Sequence, residues 1–183
     1  QMADTVTPQG IVAVCQFLSQ DLATVLARGA RHIVVLHEVK DPGNVGNIMR
    51  TADAAGADAV VVTAESVDVY NPKVVRASTG SIFHIPLVHR ADLVHAIDDI
   101  QAAGLVVYAA DAGGRDLVSL RDEGSLAKPL AWLLGNEAHG LSAEAESVAD
   151  QVVAVPLYGQ AESLSLPTAA AICLYEAAFA QRA

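Results

Sequence analysis

Aromatic and basic residues are both scarce in this sequence. Phe, Trp and Tyr make up 4% of the 183 residues while 52% are hydrophobic, so a core must be built mainly from Ala, Val, Leu and Ile. Lys and Arg total 11 against 21 Asp and Glu, a formal net charge of −10. Proteins that bind nucleic acid through phosphate contacts usually carry a basic face. An RNA-binding role would therefore need a local basic patch, a second subunit or a further domain.

Long apolar runs and metal-binding or disulfide patterns are also missing. No stretch reaches the roughly 18 apolar residues of a membrane span, and no signal peptide is visible. Cys15 and Cys173 lie far apart in apolar contexts, which favours two buried thiols in a reducing cytosol over a disulfide. The histidines show no metal-ligand spacing with the cysteines. The sequence predicts a cytoplasmic protein that binds neither a membrane nor a metal.

The stretch DPGNVGNIMR (41–50) has the glycines of a phosphate-binding loop but not their spacing. It contains neither the GxGxxG of a dinucleotide-binding fold nor the Lys-Ser/Thr of a P-loop. The next apolar run also lacks an acidic residue at its end, because Glu65 comes too late to bind a ribose. These absences argue against a nicotinamide-dependent oxidoreductase.

What the sequence does have is a regular alternation of apolar runs and helical patterns. Continuous β-branched runs predict buried strands, which we place at 32–39, 58–63, 105–110, 130–135 and 151–157, with a short one possible in 81–88. Helical patterns fall between them, at about 44–56, 72–79, 91–103, 142–149 and 166–181. This order predicts one α/β domain at 15–183, with a mostly parallel sheet and helices on both faces. Residues 1–14 are interpreted as a linker or a cloning remnant.

Polar residues gather in three segments at the ends of predicted strands, where α/β folds bind ligands. These segments are 41–62, 132–142 and 155–171. Ordinary structural roles exist for each residue: Asn44 can cap a helix, Arg50 can be a plain surface residue, and Glu137 can cap a helix beginning near Leu141. Ser163 and Ser165 can be helix-start hydroxyls ahead of Pro167. Their coincidence at strand ends favours a shared site.

Taken together, the three segments resemble the signature motifs of the SpoU-type ribose methyltransferases of the SPOUT superfamily. The matching stretches are NVGNIMRTADAAG, LGNEAHGLS and VPLYGQAESLSLPTAAA, and the linking stretch NPKVVRASTGSIFHIPLV (71–88) is also similar. The resemblance covers about residues 31–181. It implies a deep trefoil knot in the C-terminal part and a homodimer whose contact includes the last helix.

The resemblance also implies an activity, the transfer of a methyl group from S-adenosylmethionine to a ribose 2′-hydroxyl of ribosomal or transfer RNA. The residues it assigns to catalysis and RNA are Asn44, Arg50, Glu137, Ser163 and Ser165. Those it assigns to the methyl donor are Ala110, Asp111, Gly135, Asn136, Val155, Leu157 and Leu164. A guanidinium pKa exceeds about 12, so Arg50 is better suited to positioning the hydroxyl and a nearby phosphate than to acting as a base.

One residue departs from the family pattern. Ser165 stands where the third motif usually has asparagine, and a hydroxyl lacks the separate donor and acceptor groups of an amide. The departure and the acidic charge leave an alternative open, a catalytically impaired protein that binds the donor or RNA. Ile172, Tyr175 and Phe179 in the last helix fit either core packing or a subunit interface.

The kind of RNA is indicated by the first residues. TVTPQGIVAV (5–14) resembles the junction after an N-terminal ribosomal-protein-like RNA-binding domain in larger relatives. We therefore expect such a domain to precede this chain in its gene product and to supply most of the RNA affinity. Ribosomal RNA, in particular that of the large subunit, is favoured over transfer RNA. Arg50, Lys73, Arg76 and Arg115 either line a local RNA path or are scattered solvated charges, and His139 either touches RNA or is an ordinary loop histidine.

Overall fold

The computed structural model describes residues 10–11 and 13–183, so most of the predicted linker 1–14 lies outside the described residues. Within them the chain forms six strands, β1 (His32–Leu36), β2 (Ala59–Thr63), β3 (Leu87–Ala91), β4 (Val106–Asp116), β5 (Leu130–Leu134) and β6 (Gln151–Ala154). It also forms seven α-helices, α1 (Leu22–Ala27), α2 (Pro42–Ala55), α3 (Pro72–Ala77), α4 (Leu93–Ala102), α5 (Leu117–Asp122), α6 (Ala143–Ser147) and α7 (Leu166–Arg182). Single 3₁₀ turns occur at Ser81–Phe83 and Ser125–Ala127.

All six strands belong to one parallel sheet with the order β3-β2-β1-β5-β4-β6. The chain first builds outward from β1 to β3 and then crosses to the other side of β1. The direction of winding therefore reverses between β1 and β5, and such a switch point opens a crevice at the carboxyl ends of the strands. The predicted mostly parallel α/β sheet is confirmed, while the knot remains a prediction.

Helices cover both faces of the sheet, as predicted. Residues alternate along each strand, so Val34 and Trp132 pack beneath α2, α5 and α7, whereas Ile33 and Ala131 pack beneath α1, α4 and α6. The central strands β1, β2 and β5 are buried along their whole length. This double burial explains why their sequences are continuous apolar runs without alternation.

Several predicted boundaries are wrong for local reasons. The predicted strand 32–39 ends at Leu36, because Glu38 adopts φ 55° and turns the chain away from the sheet. In 81–88 the first residues form a 3₁₀ turn, and β3 begins only at Leu87. The predicted strand 105–110 extends to Asp116, whereas 151–157 ends at Ala154. Helices α1 and α5 were not predicted.

One prediction about exposure is wrong, and one of two open interpretations of the last helix does not hold at Phe179. Cys15 is exposed rather than buried, whereas Cys173 lies in the core, where burial raises its thiol pKa to about 12. Core packing does not account for Phe179, whose side chain is 65% exposed.

No helix among residues 10–11 and 13–183 has the length and apolarity needed to cross a bilayer. In the same residues no three His, Cys, Asp or Glu side chains cluster as metal ligands would.

Candidate active site

The turn between β1 and α2 is held by Asp41. Its carboxylate accepts the backbone N–H of Asn44 at 3.0 Å, and Pro42 follows in the first helical turn, where the missing N–H costs nothing. Asp41 is therefore the N-cap, and the interpretation of Asn44 as a cap is wrong. Asn44 already lies inside the first turn of α2, which leaves its side-chain amide free to reach the loop after β5.

Glu137 is the residue that Asn44 reaches. One carboxylate oxygen of Glu137 accepts the Asn44 amide at 3.1 Å and the Asp41 N–H at 2.9 Å, and the other accepts the Lys40 N–H at 3.2 Å. Partial burial opposes ionisation, but these donors and the N–H of Glu137 itself lower the pKa of the carboxyl below its usual value. Glu137 thus accepts the backbone N–H groups of the loop before α2. It does not cap α6, whose cap is Ser142.

The loop after β5 is closed on itself. Asn136 and Gly140 exchange backbone hydrogen bonds of 3.0 Å in both directions, and the Asn136 side chain donates to the carbonyl of Glu38 at 3.0 Å. Gly135 has no room for a side chain, because a Cβ would lie 2.6 Å from the Gly140 carbonyl oxygen. This loop is therefore fixed both internally and against the turn after β1.

A second loop interrupts β4 opposite β6. Val153 of β6 faces Ala110 before the interruption and Arg115 after it, so the residues between them, 111–114, bulge out at the carboxyl edge of the sheet. Asp111 in this bulge accepts the backbone N–H of Leu141 at 2.8 Å. The bond ties the β4 bulge to the loop after β5, and both loops border the same cavity.

That cavity has a volume of about 330 Å³ and lies at the carboxyl ends of β4, β5 and β6. All seven residues predicted to bind the donor line it, as do Glu137 and Ser163. Several other lining residues were not predicted from the sequence, and Glu162 is one of them. The one signal for Glu162 in the sequence is its position directly before Ser163. The carboxylates of Asp111, Glu137 and Glu162 lie in the described lining, and His139 lines the cavity beside them.

Arg50 lies outside this cavity. It lines an adjoining open groove between α2 and α7 together with Asn47, Thr51 and Thr168. Asn44 and Ser165 are not part of the cavity lining either. Ser165 occupies the N-cap position of α7, and its hydroxyl lies 2.7 Å from that of Thr168. The site thus consists of a partly open cavity and a neighbouring groove, linked through the start of α7.

The cations suggested for an RNA path are not equally available. Lys73 lies 3.9 Å from the carboxylate of Asp41, and Arg115 pairs with Glu123. Arg50 and Arg76 are exposed and make no ion pair with any residue that the structure describes. The local basic character near the groove therefore depends mainly on Arg50.

This combination defines the class of protein: a doubly wound parallel α/β protein with a small-molecule cavity at its carboxyl edge. A comparison with known families is more specific, because residues 31–175 match the model of the SpoU rRNA Methylase family. The chain belongs to that family, and the resemblance drawn from its motifs is confirmed.

Two curated relatives and one solved structure illustrate the similarity. The chain is 42% identical over 175 residues to the 23S rRNA (guanosine(2553)-2′-O)-methyltransferase RlmP of Bacillus subtilis. The aligned region covers 95% of this chain and 66% of that protein. It is 36% identical to the 23S rRNA (uridine(2479)-2′-O)-methyltransferase of Streptomyces viridochromogenes, over 93% of this chain and 60% of that protein. The chain thus spans less than two thirds of either relative.

The structural neighbour is the SpoU methyltransferase AviRb of Streptomyces viridochromogenes in complex with the cofactor AdoMet. It superposes with a TM-score of 0.78 at 36% identity and covers 90% of this chain and 65% of that one. The likeness extends over nearly all of the described α/β domain. It supports the fold assignment independently of the motifs.

Proposed function

We propose that this chain is the catalytic part of an RNA 2′-O-ribose methyltransferase that uses S-adenosylmethionine. The observation that carries the proposal is the pairing of two sites of opposite charge. The cavity is bordered by three carboxylates, whereas the groove beside it is bordered by Arg50. A cationic methyl donor suits the first site, and the phosphates of RNA suit the second.

The residues of the cavity fit such a donor. Its volume of about 330 Å³ lies within the range of small-molecule sites, and Val155, Leu157 and Leu164 supply apolar walls. Among the described residues, the backbone of 155–164 makes no hydrogen bond with other backbone groups, so its N–H and C=O groups are free to bind a polar ligand. When bound, the sulfonium donor supplies a methyl group already activated for transfer.

The contribution of the protein is therefore mainly positioning. A ribose 2′-hydroxyl is a weak nucleophile, so it must be held in line with the methyl carbon and its proton must be accepted as the bond forms. The Arg50 guanidinium donates hydrogen bonds that hold the hydroxyl or an adjacent phosphate. Glu137 and Asn44 fix the start of α2 and hence the helix that carries Arg50. Ser163 and Ser165 border the donor and the RNA at the start of α7.

Ribosomal RNA is the favoured substrate, since both relatives described above are named for 23S rRNA. We extend the proposal to a cytoplasmic protein whose RNA affinity is carried largely by residues outside 15–183. The net charge of −10 supports this division, because a chain with so few cations gains little from phosphate contacts.

The experiment is a transfer assay with methyl-labelled S-adenosylmethionine and bacterial ribosomal RNA, followed by alkaline hydrolysis. Label in alkali-resistant dinucleotides indicates ribose methylation. Label released as mononucleotides contradicts it. Tight donor binding without any incorporation favours the alternative, an inactive binding protein, for which the serine at position 165 is the specific reason.

Arg50→Ala is expected to leave the donor Kd within about threefold of the parent while lowering kcat at least a hundredfold, since two charge-assisted hydrogen bonds are worth roughly 3 kcal/mol or more. Calorimetric donor titration and single-turnover transfer measure the two quantities. Arg50→Lys, which keeps the charge without the fork of donors, serves as the matched control and should fall in between. Equal transfer rates in Arg50→Ala and parent contradict the assignment.

We further propose a homodimer whose contact includes the C-terminal half of α7, from Tyr175 onward. Tyr175 and Phe179 form a ring pair with centroids 5.6 Å apart, and a cavity of about 390 Å³ lies between them and the end of α2. A second copy covering Phe179 would remove this apolar surface from water. Phe179→Asp is expected to halve the mass measured by light scattering. Val94→Asp, which alters a half-exposed valine on α4, should leave it unchanged, and a monomeric parent excludes the dimer.

A further inference from the structure

The hydroxyl of Ser165 has an unusual partner. Ser165 has the extended conformation of an N-cap (φ −62°, ψ 148°), and its carbonyl accepts the N–H groups of Thr168 at 2.9 Å and Ala169 at 3.0 Å. An N-cap hydroxyl normally accepts a backbone N–H of the first turn, yet this one makes no such bond. It lies 2.7 Å from the Thr168 hydroxyl instead. The helix start therefore does not use the side chain that would ordinarily cap it.

This pair of hydroxyls offers hydrogen bonds to a third group. Each hydroxyl has one proton and two lone pairs, and the contact between them uses only one of the two protons. One O–H donor and several lone pairs remain free. Both residues are exposed, and neither side chain has another hydrogen-bond partner among the described residues.

The pair lies where the cavity meets the groove. Leu164, directly before Ser165, lines the cavity that we assign to the donor, and Thr168 lines the groove that contains Arg50. Arg50 is the sole charged side chain in the described lining of that groove, although the chain as a whole is strongly acidic. A guanidinium beside neutral hydroxyls suits an anionic oxygen with an adjoining hydroxyl, which is the chemistry of a ribose–phosphate backbone.

We propose that Thr168 is a substrate-binding residue, and that its hydroxyl acts with that of Ser165 to hold the ribose–phosphate backbone of the target nucleotide beside Arg50. This inference rests on the methyl-transfer function proposed above and adds a residue to its RNA site. Thr168 does not line the cavity assigned to the donor, so its hydroxyl is expected to affect RNA binding and transfer without affecting donor binding.

The test compares two exposed threonines. Thr168→Val replaces the hydroxyl by a methyl group of the same shape. Thr24→Val makes the same change in helix α1, which packs on the opposite face of the sheet and does not line the groove. Loss of one hydrogen bond to the substrate corresponds to about a tenfold effect. Thr168→Val is therefore expected to lower kcat/KM for RNA about tenfold with the donor Kd unchanged, while Thr24→Val stays within about twofold of the parent.

Two further variants separate binding from structure. Thr168→Ser keeps the hydroxyl and should restore most of the activity. Ser165→Ala combined with Thr168→Val should be no worse than Thr168→Val alone, because the two hydroxyls act as one unit. If the parent transfers methyl groups and Thr168→Val matches Thr24→Val, the inference is wrong and the proposed function stands. A loss that Thr168→Ser does not restore, or one accompanied by a changed oligomeric mass, also overturns it. A parent that transfers no methyl group removes the proposed function itself.

Discussion

Glu137 lies in the loop after β5, but its carboxylate serves the helix that follows β1. It accepts hydrogen bonds from two consecutive backbone N–H groups, those of Lys40 and Asp41, and from the Asn44 amide. The same residue borders the cavity. One side chain therefore joins the cavity to the helix that carries Arg50, across almost a hundred residues of sequence.

Glu137→Gln tests this link. An amide offers only one accepting oxygen, and its NH₂ group opposes one of the two backbone donors. We expect the free energy of unfolding to fall by roughly 1.5–3 kcal/mol, the cost of losing a charge-assisted hydrogen bond, and transfer to slow as α2 shifts. Chemical denaturation measures the first effect and the labelled-donor assay the second. Glu146→Gln is the control, since Glu146 has no side-chain hydrogen bond within the described residues, and equal losses in both variants contradict the assignment.

At the scale of elements, the packing of α2 on α3 depends on one glycine. A Cβ on Gly46 would lie 2.5 Å from the Ala77 Cβ and 2.7 Å from the Val74 carbonyl oxygen. Glycine is a poor helix former, so its place inside α2 is explained by this close approach of two helices.

Gly46→Ala is therefore expected to destabilise the protein by about 1–3 kcal/mol, the usual cost of overpacking, although the same change in an open helix stabilises it by up to about 1 kcal/mol. Thermal and urea unfolding provide the measurement. Gly43→Ala in the same helix would meet only the Asp41 carboxylate oxygen that caps Asn44, so its cost should be limited to that cap, about 1 kcal/mol. A stabilised Gly46→Ala variant refutes the packing argument.

The sequence was sufficient to predict long helices and strands that are buried on both faces of the sheet. Strands β2 and β5, and helices α2, α4 and α7, appear close to their predicted bounds because an unbroken apolar run or several helical turns mark them. The role of Asp41 as cap, the contacts of Glu137 and the Ser165–Thr168 pair could not be read in this way. Each depends on which loops of the fold meet in space, and Cys15 was misjudged because its apolar neighbours lie outside the core.

At the scale of the whole molecule, His32 links protonation to the stability of the sheet. It lies at the start of β1 with 2% of its surface exposed, and neither ring nitrogen has a hydrogen-bond partner among the described residues. Burial lowers its pKa from 6.5 to about 4, against the attraction of Asp58 and with a small further decrease from Arg182. The folded state therefore favours the neutral ring.

Because the folded pKa lies below the unfolded one, the contribution of His32 is fully present above about pH 6.5 and is lost as the pH falls towards 4. The difference corresponds to about 3 kcal/mol. His32→Phe, which cannot titrate, is expected to lose about that much less stability than the parent between pH 7 and pH 4, as measured by urea denaturation. His95→Gln, at an exposed histidine, should follow the parent, and parallel pH profiles for His32→Phe and parent exclude the effect.

The position of β1 in the sheet has a consequence for synthesis. One neighbour of β1 is β2, which follows closely, but the other is β5, whose paired residues lie about a hundred positions later in the chain. While a ribosome makes the intervening segment, the inner edge of β1 has no strand beside it. An unpaired apolar edge can pair with the wrong chain, so the nascent polypeptide is most open to aggregation, and most in need of a chaperone, until Leu134 has emerged.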